Sequence, residues 1–295
     1  RRPPRSTLFP YTTLFRSQMI YEYMILAKNK NVKVVFDNQM DWSSSRGISV
    51  YNKELSLKIG KICDCITAPT KQLARNTEKI FNKEATIIEN GCDINVFDTQ
   101  KQSPLPTYFK AAEKNFLFSG DFDTRCFNWE RVKEITNTYP SYNFCVIGDV
   151  PIWIREQNGS MPDNFLYLGN VSKSELAGLI HYCDGVIIPL LEKEDVLVDH
   201  TLIAMQAVVM GTPIFRLGNY DHDEIPSSID ITKDISILGT HNKSHSDYLE
   251  LSLQNSLFKK TIKLLNTCNI TKSIINYPSI SIIILNYNNK NVIFR

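Results

Sequence analysis

Three features of this sequence predict an α/β fold with parallel sheets flanked by helices. The first is a set of five short apolar runs between Asn115 and Leu217: Asn115–Gly120, Asn143–Asp149, Asn164–Asn170, Gly185–Leu191 and Thr212–Leu217. They lack polar alternation, which suits strands buried on both faces. The second is the helical spacing of the intervening segments Trp129–Thr138, Lys173–Cys183 and Asp199–Met210, an alternation that belongs to parallel sheets. The third is the glycine closing three of the runs, at Gly120, Gly148–Asp149 and Gly169–Asn170. Open parallel sheets bind ligands at the carboxyl ends of their strands, where a bare backbone lets a phosphate or ribose come close. A nucleotide-type pocket is therefore expected at these tips.

With 295 residues the chain has room for about two domains of ~100–200 residues each. No stretch approaches the ~18 uninterrupted apolar residues of a membrane span. The formal charge of +2 is owed to residues 1–17, which carry four arginines and no acid; beyond them 29 basic residues face 31 acidic ones. That balance favours no nucleic-acid partner. Thr7–Ser17 (TLFPYTTLFRS) resembles the in-frame translation of a common sequencing-library adapter, so residues 1–17 are read as a disordered artefact and the true protein is expected to begin upstream. The seven cysteines form no CxxC pair, several sit in apolar runs, and the five histidines show no metal-ligand spacing. Free thiols acting as small apolar groups in a reducing cytoplasm fit this pattern better than a disulfide scaffold or a zinc site.

Before the central stretch, Gln18–Lys30 reads as a helix and Val32–Phe36 as a buried strand ending at Asp37. The polar loop Asn38–Gly47 carries Asp41, Trp42 and three serines, at a strand end where function often lies. Glu54–Cys63 reads as a helix, Cys65–Ala68 as a strand, and Lys71–Phe81 as a helix started by Pro69–Thr70. Ala85–Ile88 is a further strand, closed by the turn Glu89–Asn90–Gly91. Thr99–Lys114, polar with two prolines, reads as an inter-domain linker.

The succession from Asp64 to Thr70 (DCITAPT), then a helix, then Thr86 to Asp93 (TIIENGCD) and Phe97, resembles nucleotide-sugar glycosyltransferases of the GT-B fold. The resemblance continues through Phe118–Gly120, through Pro140–Gly148, through Asn164–Val171 with Glu175 and Leu176, and through Tyr182–Leu190. It implies two Rossmann-like halves. The N-terminal domain is incomplete and retains residues 18–98; residues 99–114 form the linker, and residues 115–217 form the domain that binds the nucleotide-sugar donor. A C-terminal extension over residues 218–276 is expected to be irregular through Asn219–Thr240 and helical through Ser246–Leu265.

The same resemblance supplies donor-binding candidates: Gly120, Arg125, Gly148, Asp149, Gly169, Val171, Asp199 and Gln206. Arg125 stands where the family places a base for the donor diphosphate; a solvent-facing arginine paired with Asp121 or Asp123 is the alternative. A guanidinium can meet two phosphate oxygens at once. Active retaining members carry two glutamates before the motif matched by Gly211–Ile214. Here Gln206 fills the second place, Val198 the first, and Ile203 the place of an accompanying lysine. An amide makes a weaker hydrogen bond to a ribose hydroxyl than a carboxylate does. Asp199 fits a helix N-cap and alternatively a substitute for the missing acid. No catalytic residue and no metal ligand is assigned.

At the carboxyl end, Tyr277–Asn288 contains Ser281–Asn288 (SIIILNYN), which resembles the first strand of an inverting-type GT-A transferase domain truncated after residue 295. That resemblance nominates Asn286, Tyr287 and Asn288 for nucleotide binding by a second module, and a divalent metal for that module alone. The chain is thus expected to be a fragment of a bacterial-type, multidomain glycosyltransferase of hexosyltransferase type, inactive alone. It would carry a sugar from a UDP- or GDP-sugar to a glycan or lipid-linked acceptor in envelope polysaccharide assembly. It is expected in the cytoplasm, with the full-length protein associating peripherally with the inner face of the membrane. A degenerate, non-catalytic GT-B module acting as a scaffold and a sugar-nucleotide epimerase are the rival expectations.

Overall fold

The computed structural model describes residues 21–30, 33–38, 50–100, 104–107, 109, 112–119, 128–148, 162–189, 201–217, 228–240, 282–285 and 293–294. The chain divides into two compact units, residues 1–89 with 261–295 and residues 90–260.

The first unit holds a five-stranded sheet in the order β11-β10-β1-β2-β3. Its elements are α1 (residues 21–29), β1 (Val34–Asp37), α2 (Val50–Ile62), β2 (Cys65–Ala68), α3 (Lys71–Phe81), β3 (Ala85–Ile87), β10 (Ile282–Leu285) and β11 (Ile293–Phe294). All four residues of β1 are buried, as an apolar run without alternation requires. β1 pairs in parallel with β2, and β2 with β3. The helix read at Lys71–Phe81 forms over that span because Thr70 accepts the Leu73 N–H and Asn82 closes it in the left-handed region at φ 49°. Its inward face carries Leu73, Ala74, Thr77 and Phe81, and the Phe81 ring meets Phe36 edge-on at 5.6 Å. Lys83 ends α2 by donating to the carbonyls of Gly60, Lys61 and Cys63. Part of the stretch read as the opening of a further module supplies β10, which runs parallel to β1 in the register Val34↔Ile283, Val35↔Ile284 and Phe36↔Leu285.

The second unit holds a six-stranded sheet in the order β6-β5-β4-β7-β8-β9. Its strands are β4 (Asn115–Ser119), β5 (Asn143–Ile147), β6 (Phe165–Gly169), β7 (Gly185–Pro189), β8 (Ile214–Leu217) and β9 (Ser228–Asp230), and every pairing is parallel. The helices are α4 (Trp129–Thr138), α5 (Lys173–Tyr182), α6 (Thr201–Val209) and the short α7 (Ile237–Thr240). Alternate residues of the strands enter two separate cores. Leu117, Cys145, Val186, Ile188 and Ile214 pack with Ala177 and Ile180 of α5 and Ala204, Ala207 and Val208 of α6. Phe116, Phe118, Phe144, Ile187 and Phe215 pack with Val132 and Ile135 of α4 and Leu238 of α7. Phe144 stacks on Phe116 at 5.7 Å and on Phe118 at 5.9 Å.

Each of the five apolar runs contains one of these strands, but two expectations are corrected. β6 is not buried on both faces: it lies at the sheet edge, and Tyr167 is 38% exposed. Asn219–Thr240 is not wholly irregular, since it contains β9 and α7. β9 has only three residues and one apolar side chain, so it shows no strand pattern of its own. It forms because β8 offers an edge to pair with and because the buried Arg216 of β8, 2% exposed, lies 3.3 Å from Asp230 of β9. The helix expected at Ser246–Leu265 lies outside the described residues. Cys63, Cys92, Cys145 and Cys183 are buried free thiols, in line with the apolar reading of the cysteines, whereas Cys65 is disulfide-bonded and departs from it. Among the described residues no helix is long and apolar enough to cross a membrane.

Candidate functional site

Because the sheet of the second unit is wholly parallel, its carboxyl ends lie along one edge, where the glycine-closed tips were expected to gather. β5 is followed directly by Gly148, with φ 128°, and β6 ends at Gly169, with φ 68°. Both angles lie where an L side chain is strained, so glycine is required at each tip. A Cβ at Gly169 would meet open space, so its requirement is conformational and not steric. The two tips are tied together: the Gly148 N–H donates to the Gly169 carbonyl at 3.1 Å, and the Tyr167 hydroxyl donates to the Gly148 carbonyl at 3.0 Å. The register between β5 and β6 slips there, from Val146↔Tyr167 to Ile147↔Gly169. Such bulges redirect a strand end and are frequent beside active sites.

Two helix starts face different fates at this edge. The Asn128 N–H, at the head of α4, donates to the Pro189 carbonyl at the end of β7 at 3.0 Å, and the Asn128 side chain accepts from the Arg131 N–H. α4 thus begins at the carboxyl end of β7. At the head of α5, Ser172 and Glu175 form a reciprocal capping box. Hydrogen bonds from Ser172 hold the Glu175 carboxyl below its ordinary value. The first turn of α5 is therefore occupied by its own carboxylate. Val171, immediately before this cap, is half-buried against the α5–α6 core.

α6 bears Gln206, half-buried between the buried residues Met205 and Ala207. The helix is closed by Gly211 at φ 64°, whose N–H donates to the Val208 carbonyl. Ile203, at the place of the family's lysine, is 7% exposed and belongs to the core. That position serves packing. Of the sequence-predicted residues, the structure brings Gly148 and Gly169 together and places Val171 and Gln206 on neighbouring elements of the same unit. Gly120, Arg125, Asp149, Asp199, Asn286, Tyr287 and Asn288 lie outside the described residues. Tyr167 was passed over by the sequence reading; the signal available was a hydroxyl-bearing aromatic two residues before the closing glycine of an otherwise apolar run.

The first unit has its own polar cluster where β1 and β2 end. The Thr67 hydroxyl donates to Asp37 at 2.7 Å, and the Asn38 amide donates to Thr77 at 2.7 Å. All four side chains are buried, Asp37 at 4% and Asn38 at 2% exposure. These bonds fix Asp37 and Asn38 at the end of β1; Asp41 and Trp42 lie outside the described residues. Burial pushes the Cys92 and Cys145 thiols up to about 12, which leaves them protonated and unsuited as nucleophiles. Among the described residues no group of three or more His, Cys, Asp or Glu side chains converges as a metal site.

No protein-family model and no curated protein matches the chain. Solved structures do. Anabaena Alr3699/HepE, in complex with UDP and glucose, aligns over 86% of this chain and 76% of its own, with a TM-score of 0.61 and 13% identity. An alpha,alpha-trehalose 6-phosphate synthase from Burkholderia multivorans aligns over 93% and 79%, with a TM-score of 0.59 and 10% identity. A trehalose-6-phosphate synthase analysed with bisubstrate glycomimetics aligns over 85% and 71%, with a TM-score of 0.52 and 12% identity. The fold is that of the GT-B glycosyltransferases.

Proposed function

We propose that this chain is part of a glycosyltransferase that takes a sugar from a UDP- or GDP-sugar, with the donor seated at the carboxyl tips of the second unit. The observation that carries the reading is the pair of left-handed glycines Gly148 and Gly169, fastened to each other at adjacent strand ends. The likeness to a protein whose structure holds UDP and glucose supports it. As the sugar leaves, negative charge grows on the nucleoside diphosphate, and backbone N–H groups beside Gly120, the start of α4 and Arg125 would meet it. Gly148, Asp149, Gly169 and Val171 would lie along the nucleotide, and Asp199 and Gln206 would bond donor hydroxyls. The acceptor is a glycan or a lipid-linked sugar, and the setting is envelope polysaccharide assembly at the inner face of the membrane.

Calorimetric titration of the chain with UDP and GDP tests this: saturable binding of at least one is expected, and binding of neither overturns the reading. Burial of Ile203 where the family has a lysine favours a second reading, a module that keeps the fold and scaffolds without catalysing. It predicts no saturable nucleotide binding. The resemblance of Ser281–Asn288 to the opening strand of a GT-A module stands as a further proposal, with Asn286, Tyr287 and Asn288 near its nucleotide and a divalent metal needed there only. Since β10 pairs with β1 in this chain, extending the chain beyond residue 295 should free β10 from β1. Amide exchange at Val35, whose N–H lies on the side of β1 away from β2, reads that release.

A further inference from the structure

We infer that Tyr167 is a positioning residue of the donor pocket, acting through the Gly148 peptide. The inference rests on the donor reading above. A glycine at φ 128° has no side chain to hold it, and the two peptides flanking it at a strand tip are free to turn unless each is tied through a polar group. At Gly148 both are tied to β6: the preceding peptide by its N–H, which donates to the Gly169 carbonyl, and the following peptide by its carbonyl, which accepts from the Tyr167 hydroxyl. Tyr167 stands opposite Val146, two residues before Gly148, the register slips immediately after that pair, and the Tyr167 hydroxyl reaches the Gly148 carbonyl. Its place on the edge strand, 38% exposed, means that the hydroxyl adds little to the core. What it does is fix one peptide in one orientation. A pocket that approaches its ligand through bare backbone gains affinity from such fixing, because the ordering is done before the ligand arrives.

Calorimetric titration of the 295-residue chain and of Tyr167→Phe with UDP and with GDP, beside thermal unfolding of both, tests the assignment. Loss of the hydroxyl is expected to raise Kd about two- to tenfold with the unfolding temperature unchanged. A purely structural tyrosine would lower the unfolding temperature and leave Kd alone, and that result overturns the inference. So does an unchanged Kd at an unchanged unfolding temperature while the parent chain binds. If the parent chain binds neither nucleotide, the donor reading fails first and the role of Tyr167 with it.

Discussion

Asp184 and Asn115 exchange two hydrogen bonds: the Asp184 N–H donates to the Asn115 carbonyl at 2.7 Å, and the Asn115 N–H donates to the Asp184 carboxylate at 2.8 Å. The first unit repeats the arrangement. There the Asp64 N–H donates to the Val34 carbonyl at 2.8 Å, and the Val34 N–H donates to the Asp64 carboxylate at 2.7 Å. In each unit an aspartate just before one strand closes the amino end of its parallel neighbour, where the ladder would otherwise leave an N–H unpaired. The aspartates of the two matched motifs, DCITAP and CDGVIIP, therefore serve the frame at the amino ends of the strands.

Asp184→Ala removes the acceptor from a buried strand start and is expected to cost about 1–3 kcal/mol, read by urea unfolding. Asp184→Asn keeps an acceptor oxygen and should cost less. Equal stability of the alanine variant and the parent would show that water replaces the bond without penalty.

Asp64 makes the first unit sensitive to acid. Burial alone would raise its carboxyl, but hydrogen bonds from Lys28 and the Val34 N–H, with the charges of Lys28 and Lys33, outweigh burial and hold it below the ordinary carboxylate value. A depressed carboxyl contributes stability that is fully present above its unfolded value and is lost as pH falls through its folded one. Asp64→Asn should therefore cost about 1 kcal/mol near neutrality and flatten the acid limb of the stability curve. Parallel curves for variant and parent across that limb would count against it.

Gly60 is required by packing. A Cβ there would stand 2.1 Å from Cδ1 and 2.5 Å from Cε1 of Phe81, whose ring is already set against Phe36. Gly60→Ala is expected to cost about 1–3 kcal/mol through the displaced ring. The double variant with Phe81→Leu should be more stable than the sum of the single changes predicts, since the clash has been removed. Strict additivity in chemical unfolding would place the cost elsewhere.

Gln206→Glu tests the departure from the family pattern on α6. A carboxylate accepts a hydroxyl hydrogen bond about twice as strongly as an amide, so nucleotide-sugar affinity should rise about five- to tenfold. Calorimetry with UDP- and GDP-sugars reads the change. Weaker binding by the glutamate variant would mean that Gln206 does not face a donor hydroxyl.

The sequence by itself determined the strands of the apolar runs and their order of appearance. Runs such as NFLFS and GVIIP have no polar face, so they can persist only between two layers, and the helices between them demand parallel crossovers. The start of α3 was equally legible, since Thr70 closes it locally, whereas the capping box of Ser172 and Glu175 emerged only from the structure. Tertiary structure alone decided what depends on neighbours. Phe165–Gly169 reads as a buried strand but lies at an edge, β9 exists through its pairing with β8, and Ile282–Leu285 joins the sheet of β1 across more than two hundred residues. At the candidate site the glycines could be read, because they close apolar runs at strand tips, where a positive φ favours glycine. The hydroxyl that holds Gly148 could not, because a hydrogen bond between adjacent strands is set by register, and register is a property of the folded sheet.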